Sequence, residues 1–259
     1  MKKFIFMAVA GMLALSSCSN DDNDQTVQNA PRQMTFTAGF GDGAQTRASL
    51  YDNMKKVKFD AGDNISILSA KNTNTQFTTS AGGASATFTG TATADSKFYA
   101  VYPYSNALTL DTSTGIISGV VIPALQIGAA SSGWQPDAPI AYATTTGTSL
   151  LFHNACALLK INNDGGNAMD INVSCNEALT GTFSLNTSSG TLSGLNTNPY
   201  ASAGPVSSGT TIYIAIAPGE KTNFTVNWMG ESDYKTKHKM SAVTFEAGKI
   251  YDLGNTSAW

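Results

Sequence analysis

The sequence predicts an all-β protein built as two tandem β-sandwich domains, on three observations. Only 13% of the 259 residues are charged, and Thr, Ser, Gly, Ala and Asn dominate; such a chain is poor in helix formers and rich in β-branched and turn residues. Short runs with a period of two recur between turn signals at sandwich-like spacing. The length exceeds the usual size of one domain.

The first element is an export signal over residues 1–17. Lys2 and Lys3 form a basic start, and Phe4–Leu15 is an apolar core too short to span a bilayer as a permanent helix. It ends in Leu15-Ser16-Ser17-Cys18, which resembles a bacterial lipobox. A lipid on Cys18 would hold the protein on a membrane through acyl chains; the alternative is an ordinary signal peptide followed by a chance cysteine. The acidic run Ser19–Asp24 resembles the signal that sends Bacteroidetes lipoproteins to the outer face of the outer membrane, and reads equally as a solvated tether.

The chain is organised around Pro31–Leu50. Met34, Phe36, Ala38 and Phe40 alternate with threonines and glycine, the mark of a half-buried strand. The glycine-rich run Gly41–Thr46 follows, and then Arg47, a trypsin-like cleavage site before Ala48. Two readings fit: a removable plug strand on a cleavable tether, or an ordinary first strand and a surface loop.

Further strands are expected at Asn64–Ser69, Gln76–Thr79, Ala86–Gly90, Lys97–Tyr104, Gly115–Pro123, Pro139–Thr144 and Ser149–Asn162. Leu125–Pro139 reads as a long irregular loop. Asn162–Asn167 is the strongest turn signal in the chain. It sets the expected division into a pro-segment 18–47, an N-terminal sandwich 48–163 and a C-terminal sandwich 164–259, with Thr144–Thr148 nearly as good a boundary. Beyond it, strands are expected at Met169–Cys175, Thr180–Asn186, Thr191–Leu195, Thr211–Ala217, Asn223–Met229 and Lys239–Leu253. Cys156 and Cys175 fall in expected strands, where a disulfide and two separate thiols are equally open.

Chemistry is sparse. A net charge of −3 and a pI near 5.3 argue against nucleic acid as a partner. His153 lies in an apolar strand and reads as a core or edge histidine; His238, in Lys235–Lys239, reads as a solvated hairpin end. No metal-ligand spacing, nucleophile elbow or phosphate loop occurs, and no carboxylate pair is spaced for acid–base work. Tyr99, Tyr102, Tyr104, Trp134 and Trp228 are candidates for stacking on sugars, with core packing the competing reading. The expectation is a non-enzyme with no metal and no cofactor.

Several motifs occur together in order. Cys18 in its lipobox, the strand before Arg47, Phe59-x-x-Gly62-Asp63-x-Ile65 and Phe98–Pro103 resemble the fimbrillin family of Bacteroidales, the Mfa-like type V pilins. Ile122–Gln126, Leu151–Asn154 and Phe245-x-Ala247-Gly248-Lys249-x-Tyr251-x-Leu253 fit it as well. The resemblance implies two sandwich domains of transthyretin- or immunoglobulin-like type and export as a lipoprotein of the outer membrane. It further implies cleavage between Arg47 and Ala48 by an arginine-specific, gingipain-like protease. The plug strand Met34–Phe40 would leave, and a strand from a neighbouring subunit would take its place, building a cell-surface fimbrium. Stalk subunits of the family carry a C-terminal extension as donor strand, and six residues follow Leu253 here. The expectation therefore leans to a tip or accessory subunit. A membrane anchor that keeps its plug, a monomeric surface lipoprotein binding glycan or host protein, and a sandwich glycan hydrolase are the alternatives.

Overall fold

A computed structural model describes residues 30–41, 49–51, 56–127, 135, 138–239 and 241–259. Cys18, Arg47, Ala48 and Trp134 lie outside them. The described strands of the first half are β1 (Arg32–Phe40), β2 (Ser49–Tyr51), β3 (Lys56–Lys58), β4 (Asn64–Leu68), β5 (Thr75–Thr79), β6 (Ser85–Ala92), β7 (Phe98–Tyr102), β8 (Thr109–Asp111), β9 (Ile116–Ile122), β10 (Ala141–Thr145) and β11 (Ser149–Asn154). Those of the second half are β12 (Ala157–Asn163), β13 (Asp170–Ser174), β14 (Thr180–Asn186), β15 (Leu192–Asn198), β16 (Tyr200–Ser202), β17 (Thr210–Ile216), β18 (Gly219–Lys221), β19 (Phe224–Met229), β20 (Tyr234–Lys239), β21 (Val243–Phe245) and β22 (Ile250–Asn255). A single 3₁₀ turn, Thr256–Ala258, follows.

Seven strands close a barrel in the order β1-β11-β10-β7-β4-β5-β6. Neighbours are antiparallel except β1 and β11, which run parallel. The interior alternates large and small: Phe36, Phe59, Phe77, Phe88, Phe98 and Phe152 against Ala38, Ala86, Ala100, Ala141 and Ala143. Rings meet edge to face, Phe59 on Phe88 at 5.1 Å and Phe36 on Phe98 at 5.2 Å between centroids, the arrangement their quadrupoles favour.

Strand β7 is buried along its whole length because it serves two cores. Phe98, Ala100 and Tyr102 point into the barrel. Tyr99 and Val101 point outward into a second cluster with Leu68, Ile117, Val120, Leu158, Phe183 and Leu185. A third cluster fills a sandwich between the sheet β17-β12-β22 and the sheet β16-β13-β19-β20, through Leu159, Ile161, Ile212, Ile214, Ile171, Val173, Val226 and Trp228.

The all-β class holds, but the expected tandem pair takes another form. The N-terminal unit is a closed barrel, because β1 pairs on both sides and joins what would be two free edges. Strand pairing crosses the expected division at 163/164. Strand β12 pairs with β17 and β22, while β9 from within the first half pairs with β14. The run Ser149–Asn162, expected as one strand, splits after Asn154: Ala155 still bonds back to Ile140, and Ala157 starts the next sheet. Lys239–Leu253 likewise splits into β21 and β22 around Gly248, whose φ of +75° suits glycine. The basic run Lys235–Lys239 is part of strand β20 rather than a hairpin end, with the Lys235 ammonium 5.2 Å from the Trp228 ring centroid.

Candidate functional site: the closing strand of the barrel

Strand β1 owes its form to its alternation. Its threonines face outward, where β-branched side chains suit a pleated surface, and Phe36 and Ala38 are fully buried. Met34 and Phe40 are partly buried against the same cluster. Phe36 lies edge-on to Phe77 at 5.3 Å, and Phe40 stacks on Phe59 at 4.8 Å and meets Phe152 at 5.9 Å. Burying a phenylalanine side chain is worth roughly 1.5–3 kcal/mol, so the two aromatic rings are the main apolar hold on this strand.

Its backbone is held asymmetrically. From Arg32 to Gly39 it runs antiparallel to β6, opposite Ala92 to Ser85. Only Thr37 to Phe40 also pair with β11, opposite Ser149 to Phe152. Two bonds lock that end, the Thr37 amide to the Thr148 carbonyl at 2.8 Å and the Gly41 amide to the Phe152 carbonyl at 3.0 Å. Taking β1 away would uncover both β6 and β11 and open the aromatic interior between them.

The expected site residues are placed as follows. The plug residues Met34, Phe36, Ala38 and Phe40 face the barrel interior; Cys18 and the Arg47–Ala48 bond lie outside the described residues. Cys156 is buried in the cluster between barrel and sandwich and Cys175 packs against the sandwich cluster. No disulfide joins them. Burial pushes the Cys175 thiol up, away from a reactive thiolate.

Among the sugar-stacking candidates, Tyr99, Tyr102 and Trp228 are buried and present no ring to a ligand. Tyr104 is half-buried and lines an open groove of about 420 Å³ with Pro103, Leu108, Val121 and Pro123. His153 is exposed on the outer barrel face, its ring 5.9 Å from that of Tyr142. Carboxylates are used in turns: hydroxyls of Ser113 and Thr114 hold Asp111 below the usual range, and Thr222 does so for Glu177. Among the described residues no group of three or more His, Cys, Asp or Glu could hold a metal, and no helix is long and apolar enough to cross a membrane.

Sequence reasoning named Phe59 within a motif but did not assign it to the core. Phe59, at an isolated bridge with Gly83, closes one end of the barrel against Phe40, Phe88, Tyr102 and Phe152. Its signal was the Phe59-x-x-Gly62-Asp63 turn. The parallel pairing of β1 with β11, more than a hundred residues apart, had none.

No protein-family profile and no curated protein matches the chain. Solved structures do. A provisionally assigned cell adhesion protein from Bacteroides uniformis superposes with a TM-score of 0.56 at 16% identity, over 87% of this chain and 93% of its own. Another such protein, from Bacteroides ovatus, gives 0.53 at 16% identity, over 87% and 92%. The closed barrel, with its parallel closing strand and the sandwich beside it, therefore has the fold of these Bacteroides proteins.

Proposed function

We propose that the protein is a fimbrial subunit of the fimbrillin type, in which β1 is a removable stave. The observation that carries this reading is the position of β1: it is the strand that closes the barrel, and its chain then leads towards an arginine seven residues beyond Phe40. An arginine-specific protease has two sites in this sequence, Arg32 and Arg47. Arg32 is paired into the β6 ladder, which disfavours the extended binding a protease needs, so Arg47 is the preferred bond. Cleavage there separates Cys18–Arg47, with its lipid, from the body.

Loss of the stave leaves two unpaired edges, which bind an extended chain readily. A strand from a neighbouring subunit then enters, with backbone hydrogen bonds giving affinity and the inward pockets giving register. The assignment of the similar Bacteroides structures to cell adhesion supports a surface role. The protein is thus exported as a lipoprotein, handled by an arginine-specific protease and built into a surface fimbrium with other subunits. It performs no catalysis in this reading.

N-terminal sequencing of protein recovered from shed surface material tests the reading. A start at Ala48 is expected. A lipidated Cys18 start throughout would sink strand exchange for this chain and leave a fimbrial anchor or a monomeric surface lipoprotein.

A further inference from the structure

The sheet β16-β13-β19-β20 turns Ile171, Val173, Val226 and Trp228 into the sandwich core, so the residues alternating with them form its outer face. Across that face Asn172 stands opposite Asn227, and Asn227 opposite Thr236. Their side chains are joined in a line. Thr236 Oγ1 donates to Asn227 Oδ1 at 3.0 Å, the Asn227 amide to Asn172 Oδ1 at 3.0 Å, and the Asn172 amide to Asp170 Oδ2 at 2.7 Å. The Ser202 hydroxyl and the Gly204 amide, the latter at 3.2 Å, hold the other oxygen of Asp170.

Two tyrosines frame this polar line from the opposite edges of the sheet. Tyr200, on β16, stands opposite Ser174, four residues along β13 from Asp170, which is about 13 Å at the rise of a strand. Its hydroxyl nonetheless donates to Asp170 Oδ2 at 3.2 Å, so the ring lies down along the sheet instead of standing off it. It passes beside Asn172, which is 7% exposed although it points away from the core. Tyr234, on β20, leans inward in the same way and donates to Asn227 Oδ1 at 2.7 Å, two residues along from its own partner Met229. Both rings stay open to solvent, Tyr200 at 40% and Tyr234 at 62%. Their strands are three spacings apart, about 14 Å.

We propose that this outer face of the sandwich binds an uncharged oligosaccharide, with Tyr200 and Tyr234 as stacking platforms and the Asn172–Asn227 line as the polar floor between them. Three features select that ligand. The aromatic faces are electron-rich and suit the C–H groups of a pyranose ring. The hydroxyls of Tyr200, Tyr234 and Thr236 spend their protons inward, and a donating hydroxyl still carries oxygen lone pairs; a ligand rich in O–H donors matches them. Lys235 and Lys237 turn to the other face, where they reach the carbonyls of Thr256 and Leu253. The described side chains of the outer face thus bear the Asp170 carboxylate and no cation, which disfavours an anionic sugar. A protein partner fits less well, because its interface would have an apolar centre and a polar rim, the reverse of the order found here. The site belongs to the sandwich and goes beyond the fimbrial reading: it does not depend on removal of β1.

The test titrates the full chain with cellotetraose, maltotetraose and mannotetraose, and with tetragalacturonate as the anionic control, following the ring resonances of Tyr200 and Tyr234. At least one uncharged tetrasaccharide is expected to bind and shift both rings, and tetragalacturonate to bind at least tenfold more weakly. Tyr200→Ala and Tyr234→Ala should each weaken binding about tenfold while leaving the thermal midpoint within a few degrees, since both rings are solvent-exposed. Tyr234→Phe, which keeps the ring and loses the inward hydrogen bond, should fall between the parent and Tyr234→Ala. Absence of binding by all three uncharged sugars overturns the inference, as does binding that survives the double alanine variant or that favours tetragalacturonate. A dimer in sedimentation that the same alanine variants dissolve would make this face an interface between copies of the chain, and would overturn it too.

Discussion

Phe36 shows what one residue contributes to the closing strand. It is fully buried and sits edge-on to both Phe77 and Phe98. Truncation to alanine removes those contacts and leaves a cavity in a barrel whose other walls are fixed by ladder bonds. Phe36→Ala should destabilise the uncleaved protein by about 3–5 kcal/mol, read as a lower urea midpoint with an unchanged slope. An unaltered midpoint would mean that β1 adds little to the barrel. Asn163 is the polar counterpart. Its side-chain amide donates to the carbonyls of Gly166, Val206 and Ser207, each at 3.0 Å. Its side-chain carbonyl accepts from Trp228 Nε1 at 2.8 Å and Thr256 Oγ1 at 3.1 Å. Asn163→Ala strands the buried Trp228 donor and several carbonyls, so a loss on the order of 3 kcal/mol or more is expected. Retained stability on chemical denaturation would show that water fills the gap. At this scale the inward set Met34, Phe36, Ala38 and Phe40 was legible from alternation alone. Phe59 was not, because a bridge residue beside a turn looks like surface until its partners are known.

At the scale of elements, the chain reads well wherever one face is apolar and poorly where a strand is polar on both faces or changes sheet. Thr180–Asn186 and Asn64–Ser69 were expected almost to the residue. Strand β20, with three lysines, carried no apolar stripe; its residues are ordered by the ladder to β19. Strands β11 and β12 ran together because the two-residue step Ala155–Cys156 is apolar and buried like the strands it separates. The last element depends on Asp164. Its carboxylate accepts the Ser257 amide at 2.8 Å and the Ser257 hydroxyl at 2.7 Å, and these bonds, the backbone one first, hold its pKa below the usual carboxylate value. A group whose folded pKa is depressed contributes stability that is fully present above its unfolded value and lost as pH falls through the folded one. The 3₁₀ turn should therefore loosen only below the ordinary aspartate range. Protection of the Ser257 amide against hydrogen exchange should fall there, and Asp164→Asn should abolish that pH step. A pH-independent protection factor in the parent protein would show that Asp164 does not hold the turn.

For the whole molecule, the middle cluster decides how the parts behave together. The barrel contributes Leu68, Tyr99 and Val101 to it, and the neighbouring sheets contribute Ile117, Leu158, Phe183, Leu185 and Tyr213. Turn residues report where the chain reverses and say nothing of strand pairing, and β9 pairs with β14 across the expected break. The shared core has an energetic consequence. Opening the barrel strips the outer face of β7 as well as the inner one, so apolar surface of the adjoining sheets is exposed in the same event. Barrel and sandwich should then unfold as one cooperative unit. Phe88→Ala, which acts inside the barrel and touches none of the sandwich cluster, is the variant that distinguishes one unit from two. The amides of Ile212 and Ile214, in the sandwich, should lose protection by the same free energy as the global destabilisation, about 3–5 kcal/mol for a buried phenylalanine. If those amides keep their protection while the barrel loses its own, the two units unfold separately. Coupled unfolding would also bear on the proposed removal of β1. A barrel buttressed on the outside by a second core can lose one strand and keep the walls of its groove in register for the next.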